Sequence, residues 1–390
     1  MKILALSGRI PAVERNGDQV ISYFRITHLA RTHQVELICF GSRAIGEDRA
    51  AIEKLEAAGI VVHLLAWKRW VAAWQVLRAL PDPSMPLQSA YFRSAHMGRL
   101  FDTVRARFAP DAVYVVMIRI MPNIAHYSGP LFVEMVDSMG LNFGRRAGME
   151  RGLKGRVLAL EAQRVARYEQ AIAKRADRSF VVSRIDQQSL GSDRVEVLPL
   201  GVDVERFCKG TQAVLSPVVV FTGNMFYQPN VDAVLWFAQH CWPAIKAAIP
   251  NVRLIVVGNR PQESVVTLGK QDPAIKVTGR VDSVAAVLQT AAVAVAPMRS
   301  GSGMQFKILE AMACGVPVVA TSLGQGDIGC VAGADLLVGD TPEVFAEHVI
   351  ALLKSPQMRS QVGDAGLRYL QANHSWDAIN QQFAHACCLA

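Results

Sequence analysis

Residues 296–321 (APMRSGSGMQFKILEAMACGVPVVAT) run through a strand end, a glycine turn, a helix and a second strand without a gap, and no other stretch restricts the fold as tightly. Residues 291–296 (AAVAVA) and 316–320 (VPVVA) are apolar runs of strand length, the pattern of a parallel sheet covered on both faces. Between them Gly301, Ser302 and Gly303 allow the backbone to approach a ligand closely. Residues 304–314 then have helix-forming composition that stops at Gly315. An anion fits where that helix begins, around Ser302, Gly303, Met304 and Gln305, because the first amides of a helix are unpaired and its dipole favours negative charge. Lys307 and Glu310 lie three residues apart, so both can face the strand ends from the first turns. Together these features describe a phosphate-binding βαβ unit.

The same residues resemble the donor-site signature of glycosyltransferase family 4, which runs Glu, seven residues, Glu, then Ala-Met-Ala-x-Gly-x-Pro-Val-Val. Glu310, Ala311, Met312, Ala313, Gly315, Pro317, Val318 and Val319 match its second half, while the first Glu falls on Ser302. A glycine turn before a helix is common in doubly wound proteins; the longer string is far more specific. The resemblance implies a retaining enzyme of the GT-B fold, an α/β architecture in which two Rossmann-like doubly wound domains face each other across a cleft. It implies that Glu310 binds the ribose hydroxyls of a nucleotide-sugar donor and that Ser302 stands where a sugar-contacting Glu is usual. After the strand at 218–221, the turn Gly223, Asn224, Met225 falls where the family commonly supplies an Arg and, five residues later, a Lys for the donor diphosphate; here Asn224 and Pro229 occupy those places. The string GNMFYQPNVDAVLWF resembles a subgroup associated with bacterial exopolysaccharide assembly. Gly279, Arg280 and Val281 form the turn that the resemblance sets against the nucleotide base. With the usual Arg and Lys gone, Lys307 becomes the candidate catalytic cation, and Arg280 and Arg299 are its alternatives at neighbouring strand ends.

The N-terminal half reads as a second α/β domain, with strands at 2–7, 35–40, 60–65, 112–118, 131–136, 178–183 and 195–198. It lacks GxGxxG, which argues against a dinucleotide dehydrogenase; Gly17, before a helix expected from about residue 20, falls near the glycines that line the cleft in the family or is an ordinary loop glycine. Asp137 and Ser138 follow a strand at its carboxyl end, where ligands bind in open α/β sheets. The family usually has a His at Asp137, which is read here as an acceptor contact or as a helix cap. Arg119 either reaches the same cleft or pairs with a surface carboxylate. Residues 67–80 (WKRWVAAWQVLRAL) set Trp67, Trp70, Trp74 and Leu77 on one helical stripe beside basic residues, the pattern of a helix lying in a membrane interface. Single helices are expected over 87–108 and over 155–174. The expected domains are residues 1–205 for the acceptor, 206–375 for the nucleotide sugar, and a helix over 376–390 that crosses back to the first.

Composition limits the function classes. Residues 1–200 carry 28 of the 41 Lys+Arg against 19 of the 33 Asp+Glu, so the whole net charge of +8 resides in the first half. No recognisable nucleic-acid module accompanies it, and an anionic membrane surface or a phosphorylated lipid fits better. Seven cysteines show neither CxxC nor Cys/His spacing, which argues against zinc and disulfides. No apolar run reaches membrane-spanning length and no cleavage site follows the N-terminus, so a cytoplasmic protein, peripheral on the inner face of the membrane, is expected. The absence of Asp-x-Asp points to no metal, and no cofactor is expected beyond the donor itself. The expected activity is transfer of a sugar from a nucleotide-diphosphate sugar to a lipid-linked glycan acceptor in bacterial polysaccharide biosynthesis. Two alternatives are a sugar-nucleotide epimerase of the same fold and a catalytically silent sugar-nucleotide-binding scaffold.

Overall fold

Uninterrupted apolar runs become parallel strands because helices cover both faces of the sheet they build. In the computed structural model, which describes residues 1–13, 15–67, 69–150, 152–211, 216–301 and 304–387, they form two such sheets. The first contains β1 (Lys2–Ser7), β2 (Gln34–Phe40), β3 (Val61–Leu65), β4 (Ala112–Val116), β5 (Leu131–Val136), β6 (Arg178–Val181) and β7 (Val195–Val197), in the order β3-β2-β1-β4-β5-β6-β7. The second contains β8 (Val218–Thr222), β9 (Arg253–Val257), β10 (Ile275–Gly279), β11 (Val293–Ala296), β12 (Val318–Ala320) and β13 (Leu337–Val338), in the order β10-β9-β8-β11-β12-β13. Every strand pair is parallel. Strand order reverses between β1 and β4 and again between β8 and β11, and a sheet of this kind binds ligands beyond the strand ends at such a reversal.

Met1–Pro199, together with the chain from Asp377 onward, forms one compact unit, and Leu200–Trp376 forms the other. In the first unit Phe383 is fully buried, with ring centroids 5.2 Å from Tyr114 and 5.0 Å from Phe180. Burying a Phe side chain stabilises by about 1.5 to 3 kcal/mol. Arg25 is buried nearby; it donates to Asn380 at 2.8 Å and to Glu134 at 3.2 Å, so the guanidinium ties the C-terminal residues to the strand layer. In the second unit the His374 ring bonds the Leu200 carbonyl at 2.8 Å, and Val202 N–H donates to His374 O, which closes the start of the unit on its end.

Several local expectations are corrected. The helix expected over 87–108 is two, Leu87–Tyr91 and Ala95–Phe108, because Ser94 caps the second and its own amide donates to Asn123 Oδ1 at 2.6 Å. The helix expected over 67–80 is Arg69–Ala79, so Trp67 precedes it. Trp67 is half-buried, with ring centroids 4.7 Å from Phe40 and 5.0 Å from both Tyr91 and Phe92; it belongs to this aromatic cluster and not to an exposed stripe. The glycine turn opens a shorter helix than its composition suggests: Phe306–Ala313 leaves Met304 and Gln305 ahead of the first turn. Gly17 is the first residue of the helix Gly17–Ala30 and not part of the preceding loop. Among the described residues, no helix is long and apolar enough to cross a membrane.

Candidate functional site

In the second unit the site grows from the end of β8. Gly223 N–H donates to Val257 O, and a Cβ on Gly223 would lie only 2.8 Å from Asn230 Nδ2, so the turn requires a residue without one. Asn224 is spent on the turn itself: its side-chain oxygen accepts from Phe226 N–H at 3.0 Å and its carbonyl accepts from Asn230 Nδ2 at 3.0 Å. Asn230, buried in the helix Gln228–Trp236, uses its remaining oxygen to accept from Lys307 Nζ at 2.9 Å. Lys307 also donates to Gln305 Oε1 at 2.9 Å, lies 3.6 Å from Met298 Sδ, and stands 5.4 Å above the Phe221 ring. Its ammonium is therefore anchored by neutral acceptors in a recess at the ends of β8 and β11. Burial pulls its pKa down to about 8, with Glu310 opposing. A desolvated cation with neutral neighbours favours an arriving anion.

Glu310, one turn further along the helix, has the complementary defect. Burial pushes its carboxyl up to about 7 against the pull of Arg206 and then Lys307, and the carboxylate has no hydrogen-bond partner among the described residues. A half-buried acceptor of this kind is suited to hydroxyl donors. Gly301 has φ of 111°, and a Cβ there would meet Pro229 at 3.6 Å and Tyr227 Oη at 3.8 Å, so Gly301 lies against the end of the β8 loop. Ser302 and Gly303 lie outside the described residues. Met304 is buried and Gln305 is held by Lys307. Arg299 is exposed and pairs with Asp232 at 3.7 Å, while Arg280 is exposed at the end of β10 with Val281 beside it. Of the three candidate cations, Lys307 alone is recessed at the glycine turn.

In the first unit Asp137 follows β5 through a strained turn. Asp137 N–H donates to Met135 O at 3.0 Å, closing a three-residue turn on Val136, whose φ is 68°. A β-branched residue rarely adopts a positive φ, and such strain concentrates at functional sites. The β5–β6 register shifts at this point. The helix-cap reading of Asp137 fails, because Ser138 caps the helix Met139–Met149 by accepting from Leu141 N–H. Ser138 is engaged throughout: it donates to Glu169 at 2.9 Å, and its amide donates to Asp186 at 3.0 Å. Glu169 also accepts from Met139 and Gly140 amides. Burial first, then Asp186 and Glu169, pushes the Asp137 carboxyl up to about 7. Arg119 is buried and paired with Asp18, a half-buried carboxylate on the helix Gly17–Ala30, and its guanidinium lies 5.0 Å from the Phe92 ring centroid.

Two functional candidates escape the sequence. Asn230 joins the β8 turn to Lys307 across 77 positions, and only the string QPNVDA hints at it. Asp18 escapes because its partner Arg119 is 101 positions away, although Gly17 marks the spot.

Residues 216–355 match the family model described as Glycosyl transferases group 1. Among curated relatives, a GDP-mannose-dependent monoacylated alpha-(1-6)-phosphatidylinositol monomannoside mannosyltransferase from Corynebacterium glutamicum is 28% identical over 49% of this chain and 55% of its own. A phosphatidyl-myo-inositol mannosyltransferase from Mycobacterium leprae is 28% identical over 52% and 56%. The chain spans about half the length of the curated relatives it matches. Among solved structures, Anabaena HepE in complex with UDP-glucose aligns over 100% of both chains with TM-score 0.68 at 16% identity. TarM of S. aureus, in a complex containing UDP, aligns over 99% of this chain and 100% of its own with TM-score 0.70 at 8% identity. The fold is that of the GT-B glycosyltransferases, two parallel-strand Rossmann-like sheets with helices.

Proposed function

We propose that the chain is a glycosyltransferase that takes a sugar from a nucleoside-diphosphate sugar and places it, with retention, on a lipid-linked glycan acceptor at a bacterial membrane surface during polysaccharide assembly. The observation that carries this reading is the Lys307 and Glu310 pair beside the glycine turn: a recessed ammonium on neutral acceptors, and one turn away a carboxylate with no hydrogen-bond partner among the described residues. That pair fits a nucleoside diphosphate, with phosphate on the cation and ribose hydroxyls on the carboxylate. The match to the glycosyltransferase model covers this region, and the similar proteins are named for GDP-mannose or bound to UDP-glucose.

In the reaction the bond between the anomeric carbon and the diphosphate oxygen breaks, a bond to the acceptor oxygen forms, and the proton of the acceptor hydroxyl passes to the departing diphosphate. Charge grows on the leaving diphosphate, so a group already fixed at that point lowers the barrier. Lys307 supplies the charge without a metal, aided by the amides at the start of the helix Phe306–Ala313. Val281, in the turn that follows β10, adds a further donor contact. Incubating radiolabelled UDP- and GDP-sugars with a bacterial lipid extract tests this reading. Label moving into the lipid fraction is expected. Isomerised free nucleotide sugar indicates an epimerase, and binding without turnover a scaffold; either result overturns the proposal.

A further inference from the structure

The first unit holds a pocket of ≈ 440 Å³ with no role in the reading above. Gln75, Arg78 and Ala79 of the helix Arg69–Ala79 wall one side, and Ser94, Ala95 and Gly98 at the start of the helix Ala95–Phe108 wall another. Arg78 and Arg93 line it, and neither guanidinium has an ion-pair or hydrogen-bond partner among the described residues. The acidic residue in the wall, Asp82, is turned to its own loop, where one oxygen accepts from Ser84 N–H at 2.8 Å and Ser84 Oγ at 2.6 Å. His126 faces Asp102 at 2.8 Å. The volume equals that of about fifteen water molecules at roughly 30 Å³ each, too large for a lone ion and suited to a headgroup. Two arginines suit a phosphodiester, since each guanidinium presents a planar fork of donors.

Immediately beside this pocket the same helix exposes an apolar ridge. Trp70, Trp74 and Leu77 fall at i, i+4 and i+7 and are 73%, 59% and 57% exposed. Leu80 follows, and Arg164 Nη2 donates to its carbonyl at 2.8 Å, which brings the helix Gly152–Arg175 alongside with Leu160 and Val157 also exposed. Apolar side chains left in water over two helices, with indoles among them and arginines at the edge, match the boundary between headgroups and acyl chains. The net positive charge of the first 200 residues complements an anionic bilayer.

We infer that this face docks on an anionic phospholipid bilayer, with Trp70, Trp74, Leu77 and Leu80 entering the interface and one lipid phosphate held between Arg78 and Arg93. This rests on the reading of a membrane-linked acceptor, but its test does not need turnover. Flotation of the full chain with vesicles of phosphatidylcholine alone, or of phosphatidylcholine with phosphatidylglycerol, measures docking directly. Anionic vesicles are expected to recover the protein and neutral ones far less; Trp70→Glu with Trp74→Glu abolishes recovery from both. Arg78→Gln with Arg93→Gln lowers the partition coefficient on anionic vesicles about thirty-fold, at about 1 kcal/mol for each basic residue. Arg49→Gln with Lys54→Gln on the helix Gly46–Ala57 makes the same charge change away from the pocket and lowers it far less. Equal losses in the two charge pairs would reduce the pocket to net charge and overturn the proposal, as would equal recovery from neutral and anionic vesicles. Soluble glycerophosphoglycerol that competes as well as vesicles do would show a free phosphodiester site and refute the membrane role. Donor calorimetry on the same variants stays unchanged if the donor reading is right, so the two readings fail separately.

Discussion

Lys307→Met removes the ammonium and keeps most of the side-chain volume, which makes it the sharpest perturbation of the candidate donor site. In the unliganded protein the ammonium is held at 2.9 Å by Asn230 and by Gln305, and burial draws its pKa from 10.5 to about 8. A lysine whose folded pKa lies below its unfolded value destabilises the fold while it is charged. The penalty is therefore full below about 8 and disappears as pH rises from about 8 to 10.5. The variant lacks this penalty but leaves two acceptors without their donor, at about 1 to 3 kcal/mol each when buried. The offset between the two proteins can take either sign, but the slope cannot: thermal melts should show the wild type gaining on the variant between pH 8 and pH 10. Binding moves the other way. One charged hydrogen bond to a diphosphate is worth about 1.5 to 3 kcal/mol, so titration calorimetry with UDP and GDP at pH 7 should show roughly a tenfold to hundredfold loss for the base the enzyme accepts. Wild-type affinity should decline above pH 8 as the ammonium deprotonates, and the variant should show no such decline. Charge on the leaving group grows toward the transition state, so turnover should fall further than affinity, by about a thousandfold. Unchanged affinity with parallel pH curves would refute the reasoning. Normal turnover in this variant, beside an inactive Arg280→Gln or Arg299→Gln, would move the role to that arginine.

Glu310→Gln should weaken nucleoside diphosphate binding by about 1.5 to 3 kcal/mol in calorimetry without lowering the melting temperature at pH 8, since burial disfavours the ionised carboxyl. A lower melting temperature with unchanged affinity would make it a structural residue. Asn230→Leu removes both the acceptor for Lys307 and the donor to the Asn224 carbonyl, and should cost stability by about 1 to 3 kcal/mol in urea unfolding as well as donor affinity. For Asp137→Asn the sign runs as for any acid whose folded pKa is raised: its contribution is full below 3.8 and is lost as pH rises through about 7. The melting temperature of the variant should therefore exceed that of the wild type more at pH 8 than at pH 5. A gap that shrinks across that interval contradicts the burial of this carboxyl.

The parallel strands were legible because burial on both faces leaves nothing but apolar residues in them, as in AVYVV of β4 and VVVFT of β8. The Lys307, Glu310 spacing was legible for a similar reason, since contacts within one helix are set by neighbours in sequence. What the sequence hid depends on distant partners. Trp67 looked like one of a stripe because its helical spacing to Trp70 and Trp74 fits, yet Phe40 and Phe92 supply enough aromatic surface to hold it inward. The break at Ser94 was hidden because Asn123, which binds the Ser94 amide and the Phe92 carbonyl, lies 29 and 31 positions away.

Asp137 was the hardest residue to read, and the structure gives the physical reason. The resemblance places a His there, and an Asp in water differs from an imidazole both in charge sign and in titration range. The turn on Val136 carries the carboxyl into a recess beside Asp186 and Glu169, and burial raises its pKa to about 7, into the range where an imidazole titrates. Near neutral pH the protonated fraction can donate a hydrogen bond to an acceptor hydroxyl and the ionised fraction can accept one, as the two states of an imidazole also allow. The protonated Asp is neutral, whereas the protonated imidazole is a cation. An acceptor carrying its own negative charge thus meets no attraction at Asp137 itself. The positive charge that acts on Asp137 is Arg145, which pulls the carboxyl down against burial, Asp186 and Glu169, while Arg119 is already committed to Asp18, which Arg9 also approaches at 3.5 Å. Attraction for a phosphorylated acceptor must then come from a neighbouring cation, and Arg145 is the one this carboxyl already feels.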